Sequence, residues 1–104
     1  MKPVLCVISG SRADYGLLKN VLLPLKKSKL LDSQFIVTGS HLSSRHGNTI
    51  KEIKDDNMQI DAELEILSGD DSSIGIAEAL SRGIDRTAKT LRELNPSMVL
   101  VLGD

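Results

Sequence analysis

The chain has 104 residues, 40% of them hydrophobic, and a formal net charge of -1, which suits one small domain with its own core. Only 2% of residues are aromatic, so the core must be aliphatic. There is no basic excess to argue for nucleic acid or an anionic membrane as partner, while a single phosphate-bearing ligand needs only one well-placed arginine.

Pro3 to Ser9 reads as a fully buried strand, because its apolar residues run together and do not alternate. Cys6, the one cysteine, lies in that run. It reads as a small buried hydrophobe, since a lone cysteine offers no intrachain disulfide and no Cys-rich metal site. The run is too short for a signal sequence or a membrane span, and a cytoplasmic address is expected. A helix is expected to begin near Asp14, whose carboxylate can cap exposed N–H groups. Leu17, Leu18, Val21, Leu22 and Leu25 form its expected buried face, and Pro24 is expected to kink or shorten it.

Residues 34–38 form the second expected strand, closed by Gly39. The polar loop "SHLSSRHG" follows, and Thr49 to Glu52 fits a capping box ahead of a short helix that buries Ile50 and Ile53. "MQIDAELEIL" alternates in part and reads as a strand or an extended connection. The longest helix is expected from Ser72 to Leu94, with Ile76, Leu80, Ile84, Ala88 and Leu91 on its face and Asn95-Pro96 ending it. Met98 to Leu102 is the last strand. Strands alternating with helices specify an α/β fold: a Rossmann-like parallel sheet with helices on both faces. A domain rarely ends on a buried strand, so the sequence reads as part of a longer protein cut at Asp104.

In open parallel sheets ligands sit outside the carboxyl ends of the strands. Three strands end in glycine-containing polar stretches: Gly10-Ser11-Arg12, Gly39-Ser40-His41 and Gly103-Asp104. Right-handed crossovers bring all three to one edge, so Arg12, His41 and Asp104 are expected to share a crevice. Arg12 precedes a helix N-terminus and suits an anion; its alternatives are a solvated loop arginine or a pair with Asp14. His41 either faces the crevice or bonds within its own loop, and His46 reads as a surface residue. Asp104 suits a ligand hydroxyl or acid/base work, or else caps the next turn. Asp70-Asp71 could suggest a metal, but two adjacent carboxylates before a helix read as cap and dipole partners.

Together, "SGSRADYGLL", "VTGSHLSSRHGNTIKEI" and "NPSMVLVLGD" resemble the hydrolysing UDP-N-acetylglucosamine 2-epimerases, along the whole chain and in order. That family includes bacterial sialic-acid-pathway enzymes and relatives acting on UDP-N,N'-diacetylbacillosamine. The resemblance implies the two-domain GT-B arrangement, with residues 1–104 as the N-terminal part of a Rossmann-like UDP-sugar-binding domain and the rest of that domain and the C-terminal domain missing. It implies Gly10, Ser11, Arg12, Gly16 and His41 as substrate-binding residues, with Arg12 near the diphosphate, and Asp104 as the catalytic candidate. It implies elimination of UDP and addition of water to give the C2-epimeric amino sugar for nonulosonic acid synthesis, without nicotinamide or metal, in a homo-oligomeric parent. Another GT-B protein such as a glycosyltransferase, or a non-catalytic nucleotide-binding module, is the alternative. The residue after Asp104, arginine in the family, separates them.

Overall fold

The computed structural model describes residues 2–39, 49–66 and 70–102. The elements are β1 (Val4–Ser9), α1 (Arg12–Lys27), β2 (Asp32–Thr38), α2 (Ile50–Asp55), β3 (Ala62–Leu64), α3 (Ser73–Leu94) and β4 (Met98–Val101). All strand pairs are parallel, in the order β3-β2-β1-β4. The expected strands at both ends and in the middle are present. The alternating segment resolves into a short edge strand, begun where Asp61 donates its N–H to the Phe35 carbonyl (2.8 Å) and accepts the Phe35 N–H on its carboxylate (2.7 Å).

The apolar runs of β1 and β2 are buried on both faces, as expected of interior parallel strands. On one face Val7, Phe35 and Val37 pack against Tyr15, Leu18 and Leu22 of α1 and Ile53 of α2. On the other, Cys6, Ile36 and Leu64 pack against Leu91 and Leu94 of α3. Each buried aliphatic side chain contributes about 1.5–3 kcal/mol by leaving water. Burial, with Asp61 nearby, pushes the Cys6 thiol up from its ordinary value, in keeping with a packing role.

Several local expectations are corrected. The cap of α1 is Ser11, whose Oγ accepts the Asp14 N–H (3.2 Å) from an extended backbone; Asp14 is already inside the first turn. The buried stripe of α1 is Tyr15, Leu18, Leu22 and the half-buried Leu25, while Leu17 and Val21 face outward. That stripe follows the 3-4-3 spacing of a helix lying on a sheet. Pro24 lies inside α1, which runs three residues further, to Lys27. Thr49 does not form the expected capping box. It is buried and itself helical (φ -71°, ψ -2°), whereas a capping side chain reaches back only from extended backbone.

The longest helix differs most from its expected packing. Ile76, Leu80 and Ile84 are between 62% and 65% exposed, and Ala88 is exposed too; of the expected face only Leu91 packs on the sheet. The helix is turned by about one residue, so that Ala79, Arg82, Gly83, Thr87 and Leu91 are half-buried. On this half-buried side Arg82 Nε (3.1 Å) and Nη2 (2.7 Å) both donate to the Ile66 carbonyl just past β3. Arg86 donates to the Glu65 carbonyl beside it. Asn95 ends the helix in the left-handed region (φ 48°), which asparagine tolerates, with Pro96 barring continuation.

Candidate functional site

Because every strand is parallel, the carboxyl ends of β1, β2 and β4 lie on one edge of the sheet. The chain leaves β1 for β2 on one side and returns to β4 on the other. The β1/β4 gap is therefore the point where strand order reverses, where α/β sheets hold their ligands. Arg12 stands at the first turn of α1 beside this gap. His41 and Asp104, expected in the crevice, and His46, expected on the surface, all lie outside the described residues.

The β1–α1 turn is held by its own polar groups. Asp14 Oδ2 accepts the Gly10 N–H (3.2 Å), Ser11 Oγ accepts the Asp14 N–H, and the Ser11 carbonyl accepts the Tyr15 N–H (3.0 Å). Ser9 Oγ donates to the same Ser11 carbonyl (3.3 Å). Gly10 and Ser11 thus spend these groups on shaping the turn. Helix geometry leaves the N–H groups of Arg12 and Ala13 at the open end, aimed where an anion would sit. Ala13 has no side-chain signal by which sequence reasoning could have found it.

Gly39 shows why the end of β2 needs glycine. Its φ is +66°, and a Cβ there would meet the Gly10 carbonyl oxygen at 2.7 Å. The end of β2 and the β1–α1 turn therefore touch backbone to backbone. Gly16 is different: a Cβ there would meet nothing within 4 Å.

Arg12 pairs with Glu52 of α2, Nε to Oε2 at 3.4 Å, and not with Asp14. Its side chain is 75% exposed, so the head is accessible. Three residues on from Arg12, the buried Tyr15 donates its phenol to Asp56 Oδ2 (2.6 Å) and stacks on Phe35 at a centroid distance of 6.2 Å. Lys19 Nζ also reaches Asp56 (3.1 Å). Burial first, then the Asp56 carboxylate, pushes the Tyr15 phenol far above its ordinary value near 10. The hydrogen bonds from Tyr15 and Lys19 hold Asp56 below the usual carboxylate range. Sequence reasoning missed this seam between α1 and α2. Its signal was the helical spacing of Arg12, Tyr15 and Lys19, matched by Glu52 and Asp56 four residues apart.

Asp70 acts as the cap partner expected of it. Its carboxylate accepts the Ser72 N–H (2.9 Å), which holds it below its ordinary value, and it packs so closely on Gly75 that a Cβ there would overlap it. Among the described residues no cluster of potential metal ligands occurs. No helix among them is long and apolar enough to cross a membrane. A groove of about 330 Å³ runs between Leu25, Lys26, Asp32 and Met58. It lies at the amino end of β2, on the edge opposite Arg12, where parallel sheets do not place their chemistry.

The profile of the family described as UDP-N-acetylglucosamine 2-epimerase matches residues 24–104. The GDP/UDP-N,N'-diacetylbacillosamine 2-epimerase (hydrolyzing) of Campylobacter jejuni is 34% identical over 99% of this chain and 27% of its own length. The structure overlays on a crystal structure of UDP-N-acetylglucosamine 2-epimerase with a TM-score of 0.80 at 24% identity, covering all of this chain and 27% of that one. It overlays on the Neisseria meningitidis UDP-GlcNAc 2-epimerase bound to UDP-GlcNAc with a TM-score of 0.75 at 26% identity, covering all of this chain and 26% of that one. The chain thus spans about a quarter of the length of these relatives and shares the fold of that part of their GT-B architecture. The profile match over residues 24–104, added to the parallel sheet and the turn beside its reversal point, identifies the chain as a member of the UDP-N-acetylglucosamine 2-epimerase family.

Proposed function

We propose that the chain forms the N-terminal part of the UDP-sugar-binding domain of a hydrolysing UDP-sugar 2-epimerase. The observation that carries this reading is the Gly10–Arg12 turn: open helix N–H groups and an accessible guanidinium stand together at the strand-order reversal. A diphosphate suits that corner, because a guanidinium fork and helix N–H groups both match paired phosphate oxygens. Similarity to a protein solved with UDP-GlcNAc points the same way.

In the reaction proposed, a base takes the proton from C2 of the sugar, the C1–O bond to UDP breaks, and a 2-acetamidoglycal forms. Water then adds, hydroxyl to C1 and a proton to C2 on the opposite face. The products are UDP and the free C2-epimeric sugar, N-acetylmannosamine when the substrate is UDP-N-acetylglucosamine. Such sugars feed nonulosonic acid synthesis. Each of these steps is a proton transfer, an elimination or an addition of water, so no hydride moves and the reading calls for no nicotinamide. Arg12 with the Arg12 and Ala13 N–H groups offsets the charge growing on the leaving diphosphate. Asp104, three residues after β4 in the sequence, supplies acid/base or hydroxyl-binding function in this reading, and Gly10, Ser11, Gly16 and His41 border the substrate.

The test is an assay of the full-length parent, in the cytosolic fraction of its host, with UDP-N-acetylglucosamine and UDP-N,N'-diacetylbacillosamine in turn. Release of UDP with a free C2-epimeric sugar is expected for one of them. Transfer of the sugar to an acceptor without epimerisation would place the protein among the glycosyltransferases.

A further inference from the structure

We propose that Glu52 is a positioning residue for Arg12: it takes the Nε edge of the guanidinium and leaves the two Nη groups to fork a diphosphate. This rests on Arg12 being a diphosphate ligand.

The argument begins with the register of two helices. Arg12, Tyr15 and Lys19 form one stripe on α1, facing Glu52 of α2 and Asp56, which caps the C-terminal end of that helix. They meet in order, Arg12 with Glu52 and both Tyr15 and Lys19 with Asp56. Both helices start from the carboxyl edge of the parallel sheet, so the Arg12–Glu52 pair is the one nearest the reversal point. One turn deeper, the phenol of a buried tyrosine holds Asp56 at 2.6 Å and fixes where α2 presents Glu52.

The contact has little value as a stabilising ion pair. Both partners are exposed, the separation is 3.4 Å, and such pairs contribute little to folding. Its value is directional. A guanidinium carries five N–H donors, and a carboxylate ion-paired on the Nε side leaves the four of the Nη edge open. An exposed arginine otherwise loses rotamer freedom when it grips a ligand, and a side chain already held loses less. Glu52 also carries negative charge, which repels a diphosphate, so the two effects have opposite signs and are separable.

The experiment uses the full-length parent, with UDP as the titrant in calorimetry, on wild type, Arg12→Ala, Glu52→Ala, Glu52→Gln and the Arg12→Ala/Glu52→Ala pair. Glu52→Ala is expected to weaken UDP binding about three- to tenfold, the scale of coupling between touching residues. Glu52→Gln, which keeps the size and an oxygen able to accept from Nε but loses the charge that pairs with Arg12, is expected to recover part of that loss. The double variant is expected to bind no more weakly than Arg12→Ala alone. Tighter or unchanged binding in Glu52→Ala, beside a clear loss in Arg12→Ala, would overturn the role of Glu52 and leave Arg12 as a ligand. A Glu52→Ala loss that persists in full without Arg12 would do the same. No loss in Arg12→Ala would overturn the diphosphate reading itself, and this inference with it.

Discussion

Gly39 lies against Gly10 so closely that a Cβ on Gly39 would stand 2.7 Å from the Gly10 carbonyl oxygen. Gly39 also sits at φ +66°, where a side chain is strained. The contact joins the ends of two neighbouring strands where the proposed substrate site lies.

Gly39→Ala is therefore expected to destabilise the parent by about 2–3 kcal/mol, from left-handed strain and the displaced turn together. Gly16→Ala is expected to stabilise it by about 0.5–1 kcal/mol, since Gly16 is helical with open space beside it. The two variants are compared by chemical denaturation. If Gly16 borders the substrate, its alanine variant combines higher stability with a raised KM for the UDP-sugar.

Arg12→Ala is expected to weaken UDP-sugar use by about 1.5–3 kcal/mol, the scale of a hydrogen bond to a charged group. Arg12→Lys restores part of this, because lysine keeps the charge and loses the planar fork. Asp104→Asn keeps size and a hydrogen bond but cannot take a proton, so turnover is expected to fall more than UDP affinity. UDP calorimetry beside kcat checks all three. Equal losses of affinity and turnover in Asp104→Asn would assign that residue to binding.

Tyr15 is the single tyrosine of the sequence. Its raised phenol means that the neutral form is favoured in the fold. That contribution is fully present below the unfolded tyrosine value near 10 and is lost as pH rises beyond it. Asp56 has the opposite sense: its lowered carboxyl contributes above the unfolded value near 3.8 and loses the contribution as pH falls through the lower folded value. Phenolate absorbance of the parent, taken as the difference from Tyr15→Phe, is expected to rise only well above pH 10. Tyr15→Phe is also expected to lower Tm and to flatten the acid limb of stability.

Ile76, Leu80 and Ile84 form an exposed apolar stripe, and Met98, Val99 and Val101 lie exposed on the edge strand β4. The 104-residue chain is expected to self-associate, since an apolar edge and a bare helix face both invite pairing. Sedimentation checks this. Glu or Lys at 76, 80 and 84 together should shift the chain toward monomer.

Much of the fold was legible because apolar runs bounded by glycine, proline and polar clusters mark buried strands regardless of their neighbours. Val4 to Ser9 and Met98 to Val101 are of this kind. The Gly-terminated strand ends also gave the site's edge, since parallel topology fixes direction. Helix faces were harder to read. The Ile76-Leu80-Ile84 series is the stronger hydrophobic stripe, yet it is exposed, and the side that meets the sheet carries Arg82 and its two hydrogen bonds to the Ile66 carbonyl. An arginine's reach to a backbone oxygen sixteen residues away leaves no periodic trace. The Arg12–Glu52 pair was hidden for a similar reason: nearby Asp14 looked like the natural partner, and it was already committed to Gly10.

The strand order β3-β2-β1-β4 also bears on how the chain is made. β1 leaves the ribosome first and finds β2 within a few tens of residues, but its other neighbour, β4, is joined to it by the Ser97 N–H to Val4 carbonyl bond (2.8 Å) across almost the whole length. During synthesis β1 therefore waits with one edge bare while the long α3 emerges. The half of the sheet carrying α1 and α2 can assemble early, with Arg12 and Glu52 already paired. The crevice beside them has no second wall until β4 arrives, so the corner where a diphosphate would bind is among the last parts of this region to take shape.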